Sequence, residues 1–527
     1  MRRVVLMFAS ALLLVSFTVP AAAQTAEPQT YWWNDRVFYE IFVRSFNDSD
    51  GDGIGDIQGI IDRLDYLNDG DPTTTDDLGI TGIWLMPIME SPSYHGYDVT
   101  NYGRINPDYG SFADMRRLME EAHARGIAVI VDMVINHTSN RHPWFIASAE
   151  SDPRYAGWYI WRPANPNYRG PDGQNVWHGR GGRFYYGLFV DSMPDLNLAN
   201  PDVTDAIYDI ARMWINVVGV DGFRLDAIKH LIEEGREQES TPSTIAWLEA
   251  YHDFIDTLNP DALTVGEVWE SNFISSQYVP EGVDLTFDFD FAGAILTTVN
   301  TQRPGAINTV LERATRIYPY QQYATFITNH DQNRVMSMLS GNIDQARIAA
   351  SLLLTTPGVP FIYYGEEIGM TGVKPDIRIR TPFRWDETET TAGFTSARRP
   401  WEVLSEDAPE VSVASETDDP MSLLSHYRAL IQLRAAHPAL AIGELGLVET
   451  DGSPSVYAFI RRTDDEMILV LMNLGSEAIT DYTVQPITET STMQVLYGMS
   501  ADGAITAYAP GDSLPAYTTL ILQFSGE

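Results

Sequence analysis

Residues 222–230 have the sequence Gly-Phe-Arg-Leu-Asp-Ala-Ile-Lys-His, which carries the clearest structural signal in the chain. The first four residues predict a short buried strand, and charged residues follow where that strand ends. Arg224 and Asp226 are two positions apart, so an extended backbone directs both side chains to the same face. An arginine beside a carboxylate favours the ionised form of that carboxylate. Charged residues directly after a buried strand are typical of parallel α/β folds, in which polar groups collect beyond the carboxyl ends of the strands.

Strands and helices alternate on both sides of this segment. Apolar runs predict eight strands, at Arg36–Phe42, Gly82–Met86, Ile127–Val134, Gly222–Leu225, Leu263–Val265, Leu285–Phe289, Ala324–Thr328 and Pro360–Tyr364. Periodic segments predict helices between them, near Ile57–Leu67, Phe112–Arg125, Val203–Val217 and Met421–Ala435. Eight parallel strands with helical returns form a (β/α)8 barrel, also called a TIM barrel. The chain is therefore predicted to be an α/β protein with this barrel.

Two parts of the chain depart from the barrel pattern. After the third strand the alternation fails over residues 137–199, a segment rich in aromatic residues, Gly, Pro and Asn that is too long for a plain loop. It predicts an inserted subdomain, here called subdomain B. From residue 438 to 527, short alternating runs predict a C-terminal antiparallel β-sandwich. Residues 24–136 and 200–437 are then the two parts of the barrel.

The first 23 residues have the pattern of an export signal. A charged start with Arg2 and Arg3 precedes the apolar run Val4–Val19, and small residues follow up to Ala23. The run is short for a membrane span, so a signal peptide cleaved after Ala23 is favoured over an uncleaved anchor. The chain contains no cysteine, so the exported protein would lack disulfides. These features predict a bacterial protein that is secreted or periplasmic.

The charge balance limits the partners that the protein can bind. Against 34 basic residues stand 72 acidic ones, and the formal net charge at pH 7 is −38. Such a surface repels nucleic acids and anionic lipids, so neither nucleic acid nor, once the signal is removed, a membrane is an expected partner. Only Lys229 and Lys374 are lysines. An acidic surface poor in lysine is typical of proteins from salty habitats, and an arginine-biased genome would explain it equally well.

Polar residues follow four of the predicted strands directly. These clusters are Asp132–His137, Asp226–His230, Glu267–Trp269 and Asn329–Asp331. In a (β/α)8 barrel the carboxyl ends of the strands meet at one face, so these side chains are expected to surround one site. Three interior carboxylates together with two histidines would be costly to bury without a function.

At these positions the sequence closely resembles the α-amylase family of glycoside hydrolases, and the resemblance covers nearly all of the chain after residue 23. It implies that Asp226 is the nucleophile, Glu267 the general acid/base and Asp331 a stabiliser of the transition state. Further substrate-binding roles are implied for His137 and His330 as hydrogen-bonding groups, for Arg224 as partner of Asp226, and for Tyr97 as a stacking ring.

The chemistry of retaining hydrolysis requires the same residue types. One ionised carboxylate attacks the anomeric carbon, and one protonated carboxyl, about 5–5.5 Å away, releases the leaving oxygen. Arg224 can keep Asp226 ionised. Glu267 precedes Val268 and Trp269, and a less polar environment would raise its pKa towards the role of an acid.

Other motifs point to different branches of the family. Lys229 and His230 together mark α-amylases, in which they line a subsite on the leaving-group side. Asp98 and Arg380 resemble a pair that grips the non-reducing end of the substrate in exo-acting members. The segment Met193–Asn197 is similar to that of members intermediate between the oligo-1,6-glucosidase and neopullulanase branches. The motifs are therefore mixed, with an α-amylase as the leading interpretation.

We therefore expect a monomeric, retaining enzyme that cleaves the α-1,4-glucosidic bonds of starch and maltooligosaccharides. The alternatives within the family are an exo-acting α-glucosidase and a cyclomaltodextrinase or transglycosylase. A non-catalytic carbohydrate-binding relative is a more distant alternative, because such relatives typically lose the catalytic carboxylates, which are all present here.

A loop after the first strand alternates carboxylates with small residues, with acids at Asp48, Asp50, Asp52 and Asp56. Such a pattern places hard oxygen ligands in a tight turn, which suits Ca2+. Gly59 stands at the twelfth position, where an EF-hand has a bidentate glutamate, so the loop is not an EF-hand. An acidic turn without a metal is the alternative. Similar loops in the family bind calcium through alternate residues and the carbonyl at the position of Ile54.

A second calcium site is implied by the resemblance to α-amylases. Its ligands would be Asn136, Asp195 and the backbone carbonyl of His230. The sequence does not identify the remaining ligand, which is expected to come from subdomain B.

Overall fold

The computed structural model describes residues 30–485, 487 and 492–524. The predicted signal peptide lies outside the described residues. Among the residues described, no helix is both long enough and apolar enough to cross a membrane.

Eight parallel strands form the barrel. They are β1 Phe38–Ile41, β2 Gly82–Leu85, β3 Ala128–Met133, β4 Gly222–Leu225, β5 Leu263–Gly266, β6 Leu285–Thr286, β7 Ala324–Thr325 and β8 Val359–Tyr363. Their spatial order is β6-β5-β4-β3-β2-β1-β8-β7. A parallel bridge between Phe287 and Ala324 joins the two ends, so the sheet closes on itself. The predicted (β/α)8 barrel is thus confirmed.

Close packing between β4 and β5 depends on a glycine. A Cβ atom on Gly222 would lie 2.0 Å from the carbonyl oxygen of Leu263, so any other residue would push the two strands apart. Gly222 pairs in parallel with Leu263, and Arg224 pairs with Val265 two positions further along. This register sets the side chains that follow β4 and β5 beside each other at the carboxyl end of the barrel.

Helices return the chain between the strands. The described helices of four or more residues are Val43–Phe46, Ile57–Ile61, Leu64–Leu67, Phe112–Ala124, Pro143–Ala149, Pro201–Met213, Trp214–Val218, Pro242–Leu258, Asn272–Ser275, Phe289–Thr301, Gly305–Ile317, Val335–Met338, Ile343–Thr355, Asp376–Ile379, Val413–Glu416, Leu423–Ala436 and Pro438–Ile442. The segment Trp214–Val218 is a π-helical turn. Phe112–Ala124 begins with a capping box in which Ser111 and Asp114 satisfy each other's backbone amides.

Several predicted elements differ from those observed, and two of them have a clear physical reason. The single helix predicted for residues 57–67 is two short helices, and at the break the guanidinium of Arg63 lies over the ring of Trp385 and donates to Asn47. These tertiary contacts outweigh local helix propensity. The strand predicted to reach Phe289 ends at Thr286, because Asp288 instead caps the next helix by accepting from the amide of Phe291 at 2.9 Å.

Subdomain B contains the helix Pro143–Ala149 and a three-stranded antiparallel sheet. The central strand is Arg183–Tyr186, flanked by Trp161–Arg162 and Trp177–Arg180. An isolated antiparallel bridge between His137 and Asp195 ties the end of the subdomain back to the residues that follow β3.

The C-terminal region is an antiparallel sheet of six strands. In spatial order they are Glu444–Leu447, Val456–Arg462, Met467–Asn473, Thr518–Phe524, Met493–Ser500 and Gly503–Ala504. Two further short strands, Thr450–Asp451 and Thr483–Val484, form a separate antiparallel pair. Buried Arg461 crosses to the barrel, where it donates to the carbonyl of Thr355 at 2.6 Å. The predicted C-terminal antiparallel domain is thus confirmed.

Candidate active site

A cleft of about 830 Å³ lies beyond the carboxyl ends of the barrel strands. Its lining includes residues of the barrel loops, His95, Tyr97, Asp226, Lys229, His230, Glu239, Glu267, Trp269, Glu270, Asp331, Asp376 and Arg380, and residues of subdomain B, His137, Pro171, Asp172, Phe189, Val190, Ser192 and Met193. All three predicted catalytic carboxylates therefore open onto the same space.

Arg224 is the centre of the charged network below the cleft. Its side chain is buried, with one terminal nitrogen 2.8 Å from Asp226 Oδ1 and 2.8 Å from Asp132 Oδ2, and the other 2.7 Å from Glu267 Oε2. One guanidinium thus holds Asp226 and Glu267 at neighbouring positions. Its bonds involve one oxygen of each, so Oδ2 of Asp226 and Oε1 of Glu267 remain for chemistry.

The turn after β4 brings Asp226 and Glu267 together from the backbone side. Ala227 has a φ of +50°, a left-handed conformation that a residue with a side chain seldom adopts. Its amide donates to Glu267 Oε2 at 3.0 Å. Strained backbone of this kind persists where the surrounding structure holds it, and it is common at functional sites.

Burial sets the proton affinity of the two central carboxylates. Burial raises the pKa of Glu267, and the carboxylates of Asp226 and Asp331 raise it further against the lowering effect of Arg224. Burial also raises the pKa of Asp226, while Arg224 opposes this rise. Each carboxyl thus combines burial, which favours its protonated form, with a bond to Arg224, which favours its ionised form.

Asp331 is held by two cationic side chains. Its Oδ1 accepts from Arg380 at 2.7 Å, and its Oδ2 lies 3.2 Å from His330 Nε2. Burial alone would raise the pKa of Asp331, but His330 and Arg380 hold it well below its ordinary value. Asp331 is therefore ionised in this arrangement.

Tyr97 and His137 both line the cleft. The ring of Tyr97 stacks on that of His330 with centroids 5.5 Å apart, and its hydroxyl donates to Asp132 at 3.0 Å. Burial lowers the pKa of His137 to about 4, so its imidazole is neutral at ordinary pH. Within the described part of the chain, His137 Nε2 is buried and has no hydrogen-bond partner, which leaves it for a ligand.

Lys229 and His230 lie in the cleft with partners that the sequence did not indicate. The ammonium of Lys229 is 2.7 Å from Glu239 and 2.8 Å from Glu270. His230 Nδ1 bonds to the carbonyl of Gln238 at 2.9 Å. Lys229 is therefore held by the loops that follow β4 and β5, and His230 by the loop that follows β4.

Asp98 and Arg380 form no ion pair with each other in the described part of the chain, although both lie close enough to His95 to shift its pKa. Asp98 is buried, and its Oδ1 accepts from the hydroxyls of Ser91, at 2.7 Å, and Ser93. Arg380 instead pairs with Asp331 and donates to the carbonyl of His330 at 2.9 Å. Arg380 lines the cleft, whereas Asp98 is not among the lining residues.

Two carboxylates of the network were not assigned a role from the sequence. Asp132 is fully buried against Arg224, and Glu40 bonds to His330 Nδ1. The sequence could have indicated a functional role for both, because each is a charged residue within or near the end of an otherwise apolar strand.

Part of the predicted first metal site is assembled. One carboxylate oxygen from each of Asp48, Asp50 and Asp56 lies within 4.8 Å of the others. Asp52 is not part of this group; its Oδ1 accepts from the amide of Ile54 at 2.7 Å. Three oxygens converging in a tight turn fit a hard cation such as Ca2+.

The predicted second metal site also contains unsatisfied oxygen. Asn136 donates to Asp195 at 3.2 Å, and Asn136 Oδ1 is buried without a hydrogen-bond partner in the described part of the chain. Burial raises the pKa of Asp195 to about 7. Burial and then Asp195 raise the pKa of Glu233 well above its ordinary value, so Glu233 lies near this group as an acid that the sequence did not single out. The donor set fits a cation.

A (β/α)8 barrel that carries paired acids and a third carboxylate in one cleft defines a class of barrel hydrolases. The family model described as "Alpha amylase, catalytic domain" matches residues 40–443. Alpha-amylase 3 of Dictyoglomus thermophilum is 40% identical over 451 residues, which cover 84% of this chain and 85% of that protein. The chain belongs to the α-amylase family and is an α-amylase-type glycoside hydrolase.

Other relatives carry other activities in their names. An oligo-1,6-glucosidase of Parageobacillus thermoglucosidasius is 31% identical over 522 residues and covers 85% of this chain and 91% of that protein. The crystal structure of an α-amylase from H. orenii has a TM-score of 0.81 at 40% identity, covering 93% of this chain and 99% of that chain. The family is therefore shared between enzymes of different specificity.

Proposed function

We propose that the protein is a retaining α-amylase that hydrolyses internal α-1,4-glucosidic bonds of starch and maltooligosaccharides. The observation that carries this choice is the position of Asp98, which is bonded to Ser91 and Ser93 while Arg380 is bonded to Asp331. A clamp on a terminal glucose would need both charged groups exposed to its hydroxyls in the cleft, and Asp98, unlike Arg380, does not line the cleft. Without that clamp, a longer chain can continue through the subsite.

The proposed reaction uses the network around Arg224. Asp226 attacks the anomeric carbon while Glu267 gives its proton to the glycosidic oxygen, so the carbon–oxygen bond breaks and a glycosyl ester forms. Glu267, now ionised, takes a proton from water, which displaces Asp226 and releases the product with its α configuration retained. Asp331, with Tyr97, His137 and His330, would bind the sugar in the reacting subsite.

Calcium is proposed at two places. Asp48, Asp50 and Asp56, with the carbonyl of Ile54, would hold one ion, and Asn136, Asp195 and the carbonyl of His230 would hold the other. Bound Ca2+ would neutralise neighbouring carboxylates and rigidify the loops that contain them.

The export pattern of residues 1–23 supports a secreted or periplasmic protein as a further proposal. An α-glucan polymer is too large to enter a cell intact, so an extracellular location agrees with the proposed substrate. The test is expression in a bacterial host, in which mass spectrometry of the secreted protein is expected to show a chain cleaved after Ala23. Retention of residues 1–23 in a membrane fraction would contradict the proposal.

The decisive experiment compares internal with terminal cleavage. A maltoheptaoside blocked at its non-reducing end is expected to be cut, and soluble starch should lose viscosity early, with maltose and maltotriose as main products. The Asp226→Asn variant is the matched control for contaminating activity. Glucose as the sole early product, with the blocked substrate intact, would instead support an exo-acting α-glucosidase. The similarity to an oligo-1,6-glucosidase is the reason for retaining that alternative.

A further inference from the structure

His330 has an anionic partner on the side away from the cleft. Glu40 lies on β1 and is only 2% exposed, and its Oε1 bonds to His330 Nδ1. The other ring nitrogen, Nε2, lies 2.6 Å from the hydroxyl of Tyr97 and 3.2 Å from Asp331 Oδ2. The imidazole of His330 therefore lies between two carboxylates, one behind it and one in the cleft.

The hydrogen bonds around Tyr97 determine where the protons of His330 are. The hydroxyl of Tyr97 donates its one hydrogen to Asp132 Oδ2 at 3.0 Å, so its oxygen must accept from His330 Nε2. The carboxylate of Glu40 likewise accepts from Nδ1. Both ring nitrogens are then donors, which makes His330 an imidazolium.

We propose that Glu40 is a positioning residue for the reaction: it fixes the ring of His330 and keeps it positively charged, so that Asp331 and Asp226 stay ionised beside the reacting sugar. The proposal rests on the proposed glycoside hydrolysis. Burial alone would lower the pKa of His330, but Asp331 and Glu40 together raise it to about 10. The charge of His330 in turn lowers the pKa of Asp226 and Asp331.

The surroundings of His330 contain both signs of charge, and removal of Glu40 changes their balance. The titratable and charged groups around His330 are Glu40, Tyr97, Asp132, Asp226, Asp331 and Arg380, with Arg224 and Tyr363 next to these groups. Of these, Glu40 is the carboxylate bonded to Nδ1, so the Glu40→Gln variant removes that charge while keeping a hydrogen-bond acceptor of the same size.

The first measurement is independent of activity. In protein labelled with 15N-histidine, the ring signals of His330, identified by their loss in His330→Gln, are expected to show an imidazolium at pH 8 in the parent. In Glu40→Gln the pKa of His330 is expected to fall by about 1–3 units, the usual effect of one adjacent opposite charge. A neutral His330 in the parent at pH 8, or an unchanged titration in Glu40→Gln, would overturn the proposal.

The second measurement is the pH profile of hydrolysis. Glu40→Gln is expected to lower kcat by about 10- to 100-fold, with a small change in KM, because the groups around the sugar are misplaced. Its alkaline limb should move to lower pH, because His330 with a lowered pKa loses the charge beside Asp331 at a lower pH than in the parent. A pH profile identical to that of the parent would count against the proposal.

Glu366→Gln is the matched control. Glu366 is also buried and accepts from Tyr427 at 2.8 Å, and burial raises its pKa to about 8, so the neutral amide resembles its state at pH 7. Its kinetics and His330 titration should match those of the parent.

If Glu40→Gln does not fold, Glu40→Asp replaces it and should lower both the pKa of His330 and kcat; no change in either would overturn the proposal. Failure of the parent to cut any maltooligosaccharide would reject the proposed function alone.

Discussion

Arg224 links both proposed catalytic carboxylates, and this determines what their replacement should do. Asp226→Asn removes the nucleophile and Glu267→Gln removes the transferable proton, so each is expected to lower kcat by several powers of ten. Arg224 keeps Asp132 and one further carboxylate in either variant, and the fold should remain. Kinetics on maltoheptaose and melting curves check this. Turnover near that of the parent in either variant, with the same product pattern, would contradict the assignment.

Lys229 offers a test of binding remote from the chemistry. Its ammonium lies in the cleft between Glu239 and Glu270, and the resemblance to α-amylases implies that it lines the leaving-group side. Lys229→Ala should lower kcat/KM about 10-fold or more on long maltooligosaccharides and less on maltotriose, because it removes binding energy from distant sugars.

The chain-length series for Lys229→Ala needs its own control. Lys374 is the other lysine and forms an exposed ion pair with Asp376, so Lys374→Ala controls for loss of a positive charge. An equal loss on long and short substrates would mean that Lys229 supports the fold of its loop and does not bind sugar.

The sequence predicted residues that lie close together along the chain better than those that meet in space. Arg224 and Asp226 are two positions apart on one strand, so their contact follows from the alternation of side chains. Glu40 and His330 are 290 positions apart and meet only because β1 and the loop after β7 lie on the same side of the closed barrel. Asp98 is the opposite case: the sequence motif around it was recognised, but its hydrogen bonds with Ser91 and Ser93 were not predicted.

At the scale of single elements, the Asp48–Asp56 loop gives a prediction about metal. If it binds Ca2+, chelation should lower Tm by several degrees, because a ligand that binds only the folded state at 100 times its Kd contributes about 2.7 kcal/mol. Asp50→Ala should lower Tm and reduce the effect of the chelator. A parent that melts at the same temperature with and without the chelator would show that the loop is an acidic turn.

The control for this loop is a second acidic turn nearby. Asp71 is exposed and its carboxylate accepts from the amide and hydroxyl of Thr73, but it is not part of a carboxylate cluster in the described part of the chain. Asp71→Ala should therefore leave the response to chelator unchanged. A loss of that response in Asp71→Ala would show that general surface charge, and not a specific site, is responsible.

Elements were predicted where their local signal was strong. The helix Phe112–Ala124 has an apolar stripe and a capping box, and it forms within one residue of the predicted span. β6 and β7 are only two residues long, because the barrel closes through a single bridge there and the chain turns early into capping and loop structure. Such boundaries depend on contacts with neighbouring strands, so the hydrophobic pattern of one segment does not predict them.

Across the whole molecule, the excess of acidic residues sets the electrostatic balance of the fold. A formal net charge of −38 on one chain produces self-repulsion that opposes compaction. Added salt screens this repulsion, since the Debye length falls from about 30 Å at 0.01 M to about 3 Å at 1 M. Salt therefore acts on the surface as a whole, whereas buried pairs such as Arg224–Asp132 are screened much less.

We expect Tm to rise by several degrees between 20 mM and 1 M NaCl at pH 7, with saturating Ca2+ present throughout so that the metal loops do not contribute. Most of the rise should come in the first few hundred millimolar, because screening saturates, whereas a general salting-out effect would keep growing with concentration. KCl should act like NaCl. Near the isoelectric point of about pH 4.4, where the net charge is close to zero, the same salt series should have little effect. A Tm that does not change with salt at pH 7 would mean that the acidic surface does not lower the stability of the folded protein. That result would favour an arginine-biased genome over a salty habitat as the origin of this composition.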